Sequence, residues 1–233
     1  IVKLVYGFAA YSWIKTNKIL LTQEICEAVK KMLYYSSNDA TSFLIDLLTG
    51  TTSGPCIEGD PWENWKYQRS IINDWLKELN WDEFYEINCC QKTWDDGPYG
   101  REKQFYGTEN GNRNMMTTDS AARILEEIMI KLDYQKDNIN LRSFLKRNLN
   151  KSQRNKEPLN QVDGFLGEGL PENINFWSKA GLMSQARHDA AWWVNNDSLQ
   201  TLLVVFGNGE KYVKDENLFP EIAKSVYKYN NFV

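Results

Sequence analysis

Apolar residues recur at helical spacing through the first two thirds of the chain and form strand-like runs only near its end. Leu4, Val5, Phe8, Ala9 and Trp13 predict a helix over residues 2–13. After a turn at Asn17 and Lys18, a second helix begins within 20–24 with Thr22 as N-cap. It turns Ile25, Val29, Met32 and Leu33 inward and ends at Tyr34 and Tyr35. A third helix covers 39–48 and stops at Gly50. Residues 51–60 are rich in Thr, Gly and Pro and read as a loop. Residues 62–79 read as one helix, with Trp65, Ile71, Ile72, Trp75, Leu76 and Leu79 on a broad apolar face. Residues 88–114 have weak periodicity and four glycines, and a structureless loop of that length is usually functional. Helices follow over 120–131, capped from Thr117, Thr118 and Asp119, and over 139–148. Residues 151–160 are a polar surface stretch, and 162–170 read as a short helix and turn.

Beyond Pro171 the pattern changes. Residues 175–181, 190–194 and 199–206 read as three strands of an antiparallel meander, with a turn at Asn196 and Asp197 between the last two. A helix over 220–229 closes the chain, with Pro220 near its first position. Helices followed by strands and a final helix predict an α+β fold. The expectation is one domain over 1–233, helical over about 1–170, with the sheet and closing helix over about 171–233. The pattern contains no internal repeat.

The 233 residues carry a net charge of −4 and are 42% hydrophobic and 25% charged, with a pI near 5.3. These values are ordinary for a globular protein, and the acidic balance argues against nucleic acid as a partner. No apolar run approaches the roughly 20 residues of a membrane span, and no leader pattern is visible at Ile1-Val2-Lys3-Leu4. The chain begins without Met and in mid-pattern, so the natural N-terminus is expected upstream. Cys26, Cys56, Cys89 and Cys90 contain no C-x-x-C, so no metal site is expected; they are either reduced thiols or supply a pair between Cys56 and Cys89 or Cys90. The abundant Trp and Tyr read as core and pocket walls, and no cofactor is expected.

With His188 as the single histidine, proton transfer would fall to Lys, Glu, Asp or Tyr. One stretch suits such chemistry: Tyr35-Ser36-Ser37-Asn38-Asp39, just before an apolar helix. It can be read as capping, with Ser36 or Ser37 as N-cap, or as a Ser-x-Asn catalytic motif. Lys179-Ala180-Gly181 lies on the first strand, and Arg187 opens the next. A fixed lysine can hold a substrate carboxylate, Arg187 can fork onto it or form a surface ion pair, and a glycine lets a substrate backbone lie against the strand. The middle hydroxyl usual in such a motif is replaced by Ala180. His188-Asp189 lacks the G-x-S-x-G elbow that would supply a triad with its nucleophile.

Together these residues resemble the class A β-lactamase family of serine β-lactamase-like hydrolases over nearly the whole chain. "IVKLVYGFAAYSWIKTNKILLT" resembles the family's helix directly after its serine, which makes Lys3 the lysine of Ser-x-x-Lys and puts the nucleophile immediately before Ile1. "MLYYSSNDATSFLIDLL" resembles the second motif, "NRNMMTTDSAARILEEI" the end of the Ω loop and the next helix, and "FWSKAGLMSQARHDAAWWV" the third-motif strand and its partner. The literal Ser12-Trp13-Ile14-Lys15 lies near the end of its helix, whereas the family's serine starts one.

The resemblance implies roles. Lys3 would activate the serine, and Ser36 would pass the proton toward the leaving nitrogen. Asn38 would hold the substrate amide and Lys3. Lys179 and Arg187 would bind the carboxylate of a small-molecule substrate, β-lactam-like or peptide-like. Gly181 would let the substrate lie on the strand, and Leu182 would supply a backbone N–H to the oxyanion hole. Glu102 falls nearest the family's deacylating glutamate, with Asp95 and Asp96 as alternatives, although "YGREKQFYG" lacks Glu-x-x-Leu-Asn. The stretch between Leu21 and Ser36 is also short for the family. Slow acyl transfer to an ester, amide or peptide, and a weak or inactive peptidoglycan-peptide-binding or penicillin-binding-like protein, are the alternatives to efficient β-lactam turnover. The family analogy further implies a monomer, periplasmic or secreted. It also implies a five-stranded sheet, of which two N-terminal strands are missing here, leaving an edge open to aggregation.

Overall fold

The computed structural model describes residues 1–134, 139–157, 160–195 and 198–232. The fold is α+β, and its described residues group into two compact units. One unit contains Val2–Ser120 and Tyr134–Ile139; the other contains Ile1, Ala121–Asp133 and Asn140–Val233.

The first unit is helical. Helix α1 (Lys3–Lys15) is apolar nearly all round and buried accordingly, with Leu4, Val5, Tyr6, Phe8, Ala9 and Trp13 all in the core. Each large side chain so buried contributes about 1.5–3 kcal/mol. Gly7 lets α2 (Gln23–Tyr34) approach closely, because a Cβ there would stand 3.2 Å from Leu33 Cδ1. Thr22 caps α2 by accepting from Ile25 N–H, as its sequence position predicts. Helix α3 (Asn38–Thr49) is capped by Ser37 accepting from Ala40 N–H, and it ends at Gly50 in the left-handed conformation that glycine favours.

Three expectations change. The helix read over 62–79 is two helices, α4 (Gly59–Arg69) and α5 (Ile71–Glu78), parted at Ser70. The apolar face continues across the break, so periodicity alone hides it. Trp75 on α5 packs against Phe8 and Trp13 with ring centroids 5.4 and 5.0 Å apart. Residues 88–114 are not a structureless loop. They contain α6 (Gly100–Tyr106), and an antiparallel bridge joins Asn88 to Met115. Asparagine side chains do the anchoring: Asn73 Oδ1 accepts from Cys89 N–H, and Asn114 Oδ1 accepts from the N–H groups of Cys90 and Gln91.

Helix α7 (Thr118–Glu126) continues as a π-helical turn over Glu127–Lys131, and the second unit begins within it. Thr117 caps it through Ser120 N–H. The third change lies next. The helix expected over 139–148 is only α8 (Leu141–Leu145), and the chain then extends as strand β1 (Lys146–Arg147). The three expected strands follow after α9 (Lys151–Arg154) as β2 (Asn175–Met183), β3 (Ala186–Val194) and β4 (Gln200–Asn208). The sheet is antiparallel in the order β1-β2-β3-β4, with Lys179 opposite Ala190 and Gly181 opposite His188. Asn196 and Asp197, the expected turn, lie outside the described residues. Helix α10 (Glu210–Lys214) precedes α11 (Leu218–Phe232). Alternation along the strands puts Phe176, Ala191 and Trp193 on one face, packed with Phe219 and Ala223 of α11. β1 pairs only with Trp177 and Phe176 of β2, so an outer strand covers little of that edge. All four cysteines are free thiols.

Candidate active site

In the first unit, Lys3 enters the core at the start of α1 and is 5% exposed. Its Nζ donates to Asn38 Oδ1 at 2.8 Å, to Ser36 Oγ at 3.1 Å and to the Ser36 carbonyl. Burial lowers its pKa to about 8, against a smaller opposing pull from the Asp95 carboxylate. Ser36 has a φ of +58°, a left-handed conformation rare for a residue with a side chain. With the capping done by Ser37, Ser36 turns both its carbonyl and its hydroxyl to Lys3. Lys3, Ser36 and Asn38 therefore meet, and a fourth residue joins them: Asp95 Oδ1 accepts from Asn38 Nδ2 at 2.5 Å.

Glu102 lies elsewhere in this unit, 1% exposed. Both its oxygens accept from Arg69, at 2.8 and 2.9 Å, and Oε1 also accepts from Ser53 Oγ. Arg69 reaches Asp46 at 3.0 Å, and Lys92 bonds Asp46 and Ser53. Asp96 accepts from the Tyr99 hydroxyl. Of the three acids read from sequence, Asp95 is the one beside the lysine. Ser12 and Lys15 sit at the far end of α1, where Ser12's carbonyl receives Thr16 and Lys15 is exposed near the helix's negative end.

In the second unit, Lys179 is fully buried on β2. Its Nζ donates to Gln161 Oε1 at 2.5 Å and to the Ala180 carbonyl, and the same Gln161 oxygen accepts Ala180 N–H. Gln161 is a partner that sequence missed; nothing in its polar surroundings marks it. Gly181 permits a close approach, since a Cβ there would lie 3.1 Å from Ile1 N. Leu182, next along, is exposed. Arg187 is buried and spends its guanidinium on backbone: Nη1 donates to the Gly164 carbonyl, and Nε and Nη2 donate to Val213. Asp189 is fully buried, its Oδ2 accepts Leu166 N–H, and burial raises its pKa to about 7. Among the described residues, no three His, Cys, Asp or Glu side chains cluster as a metal site, and no helix is long and apolar enough to cross a membrane.

An α+β chain whose Ser-x-Asn turn grips a buried lysine, and whose strand carries a Lys-Ala-Gly with Lys179 and Ala180 buried, has the architecture of the β-lactamases and their penicillin-binding relatives. The chain belongs to the beta-lactamase enzyme family, whose model matches residues 14–230. Solved structures agree on the fold. The β-lactamase of Streptosporangium roseum superposes with a TM-score of 0.63 at 14% identity, covering 99% of this chain and 83% of its own. A class A β-lactamase from Bacteroides cellulosilyticus gives 0.64 at 15%, covering 99% and 82%. A point mutant of PBP-A, in an acyl-enzyme complex with penicillin G, gives 0.65 at 13%, covering 100% and 80%. No curated protein matches the chain by sequence.

Proposed function

We propose that this chain is the catalytic part of a serine-type hydrolase that opens a β-lactam, or a related amide or ester bearing a carboxylate, through an acyl-enzyme. The observation that carries the reading is Lys3, buried, bonded to Ser36 and Asn38, with a pKa lowered to about 8. Relative to an ordinary lysine, that shift raises the neutral fraction at pH 7 about 300-fold. A neutral amine at this position can take the proton of a serine preceding Ile1 as its oxygen attacks the substrate carbonyl. Ser36 Oγ, within hydrogen-bond reach of the same amine, returns a proton to the leaving nitrogen. Asn38, bonded to the same amine, holds the substrate amide, while Arg187 is committed to the carbonyls of Gly164 and Val213.

Deacylation needs a general base, an ionised carboxylate, to take a proton from the attacking water. Glu102 is committed to Arg69, Asp96 accepts from Tyr99, and Asp95, the acid beside Lys3, accepts from Asn38, so the acyl-enzyme is expected to persist. This favours as second reading a penicillin-binding-like protein that acylates and turns over poorly. A point mutant of PBP-A, similar in fold, is described in an acyl-enzyme complex with penicillin G.

The test uses the chain extended by a serine before Ile1. Fluorescent penicillin should form a covalent adduct that Lys3→Ala abolishes, and absence of any adduct overturns the reading. A lasting adduct with little nitrocefin hydrolysis selects the penicillin-binding form over the β-lactamase form.

A further inference from the structure

Lys3, Asn38 and Asp95 form a line. Lys3 Nζ donates to Asn38 Oδ1 at 2.8 Å, and Asn38 Nδ2 donates to Asp95 Oδ1 at 2.5 Å. The two ends are chemical opposites: an ammonium offers only donors, and a carboxylate offers only acceptors. A carboxamide between them fits in one orientation, with oxygen to the lysine and nitrogen to the aspartate. Reversed, it would set its N–H groups against an ammonium and its oxygen against a carboxylate.

We propose that Asp95 is a positioning residue: acting through Asn38, it fixes the amide so that Oδ1 always faces Lys3 and the second N–H of Nδ2 keeps a fixed direction toward substrate. The proposal rests on the reading of Lys3 and Asn38 as working groups of the site.

The loop carrying Asp95 is built to hold it. Asn114 Oδ1 accepts from the N–H groups of Cys90 and Gln91 and from the Tyr6 hydroxyl, while its Nδ2 donates to the Gln91 carbonyl. Tyr6 also donates to that carbonyl at 2.7 Å. Lys92 is tied to Asp46 and Ser53. Tyr6 lies one turn after Lys3, so α1 carries the lysine and also anchors the loop that orients its partner. The other acids near Asp95 have commitments of their own: Asp96 to Tyr99, and Asp46 and Glu102 to Arg69 and Lys92. Asp39, in the first turn of α3, favours that helix's N-terminus.

The experiment reads Lys3 itself and needs no catalysis. In the chain with isotope-labelled lysine side chains, Lys3 is followed by NMR across pH 6–11 and identified by its loss in Lys3→Arg. Asp95→Asn should lower the Lys3 midpoint by about half a unit or more, and Asp95→Glu should restore most of it. In an Asn38→Ala background the same Asp95→Asn change should shift Lys3 by less than half as much, because the connection is already cut. Equal shifts in both backgrounds mean Asp95 acts through space alone and overturn the proposal, as does no shift in either. If the serine-extended chain fails to acylate while this coupling stands, the hydrolase reading falls and the positioning role survives.

Discussion

Arg69 holds Glu102 with two hydrogen bonds, of 2.9 and 2.8 Å, and neither side chain reaches solvent. Arg69 Nε donates to Thr51, its guanidinium lies 4.5 Å from the centroid of the Trp65 ring, and Asp46 and Lys92 complete a network of two cations and two anions. Such a group can add little net stability when intact, yet losing one member leaves an uncompensated buried charge. Glu102→Gln should therefore destabilise the fold by about 3–5 kcal/mol in urea unfolding. The same variant, in serine-extended form, should still form the penicillin adduct per folded molecule. Loss of acylation with unchanged stability would reverse this assignment.

Lys3 is held below its ordinary pKa, so the unfolded chain binds more protons than the folded one between pH 8 and 10.5. Stability tied to this group therefore rises with pH across that window, and below it the buried ammonium is a cost of about 3 kcal/mol at most. Lys3→Met should unfold at higher urea than the parent at pH 7, and the advantage should shrink as pH rises toward 10. A parent that is the more stable at pH 7 would show that the bonds to Ser36 and Asn38 outweigh the burial cost.

Asp189 has the opposite dependence. Burial raises its pKa from 3.8 to about 7, ahead of the opposing pulls of Leu166 N–H, Lys179 and Arg147. The folded state then binds the extra proton between those values, so its contribution to stability is lost as pH rises from about 4 to 7. Asp189→Asn should show a smaller fall in unfolding free energy between pH 5 and 8 than the parent, compared by urea titration at both pH values.

Gly164 has a φ of +73°, and a Cβ there would stand 2.6 Å from Arg187 Nη1. Gly164→Ala should cost about 2–3 kcal/mol, from backbone strain and from displacing the guanidinium that joins Gly164 to Val213. Arg187→Ala should lower the melting temperature comparably if that brace is its main work. A melting temperature close to the parent's, with weakened penicillin binding in the serine-extended form, would assign Arg187 to the substrate instead.

Local chemistry was legible where its signal is local. Thr22 and Ser37 cap their helices, Gly50 ends one, and three strands follow Pro171, because capping, left-handed termini and alternation depend on a few neighbouring residues. Ser36 and Asn38 share a motif with its own spacing, whereas Lys3, 33 residues from Ser36, was named only through the family resemblance. The break at Ser70, the anchoring of 88–114 by asparagines and the two-residue strand β1 were hidden. Side-chain-to-backbone bonds have no period, and a Lys-Arg pair becomes a strand only through the partner beside it.

By itself the sequence determined the α+β succession, since it follows from residue type at short range, and the family, through motifs ordered along nearly the whole chain. Tertiary structure alone decided which acid serves which partner. Asp95 and Glu102 are carboxylates seven residues apart in a stretch of weak periodicity, and nothing in their chemistry separates them. Asp95 meets Asn38, and Glu102 meets Arg69, because contacts from residues 38 and 69 reach them across the fold. A carboxylate's role is set by the charge and burial that folding puts around it.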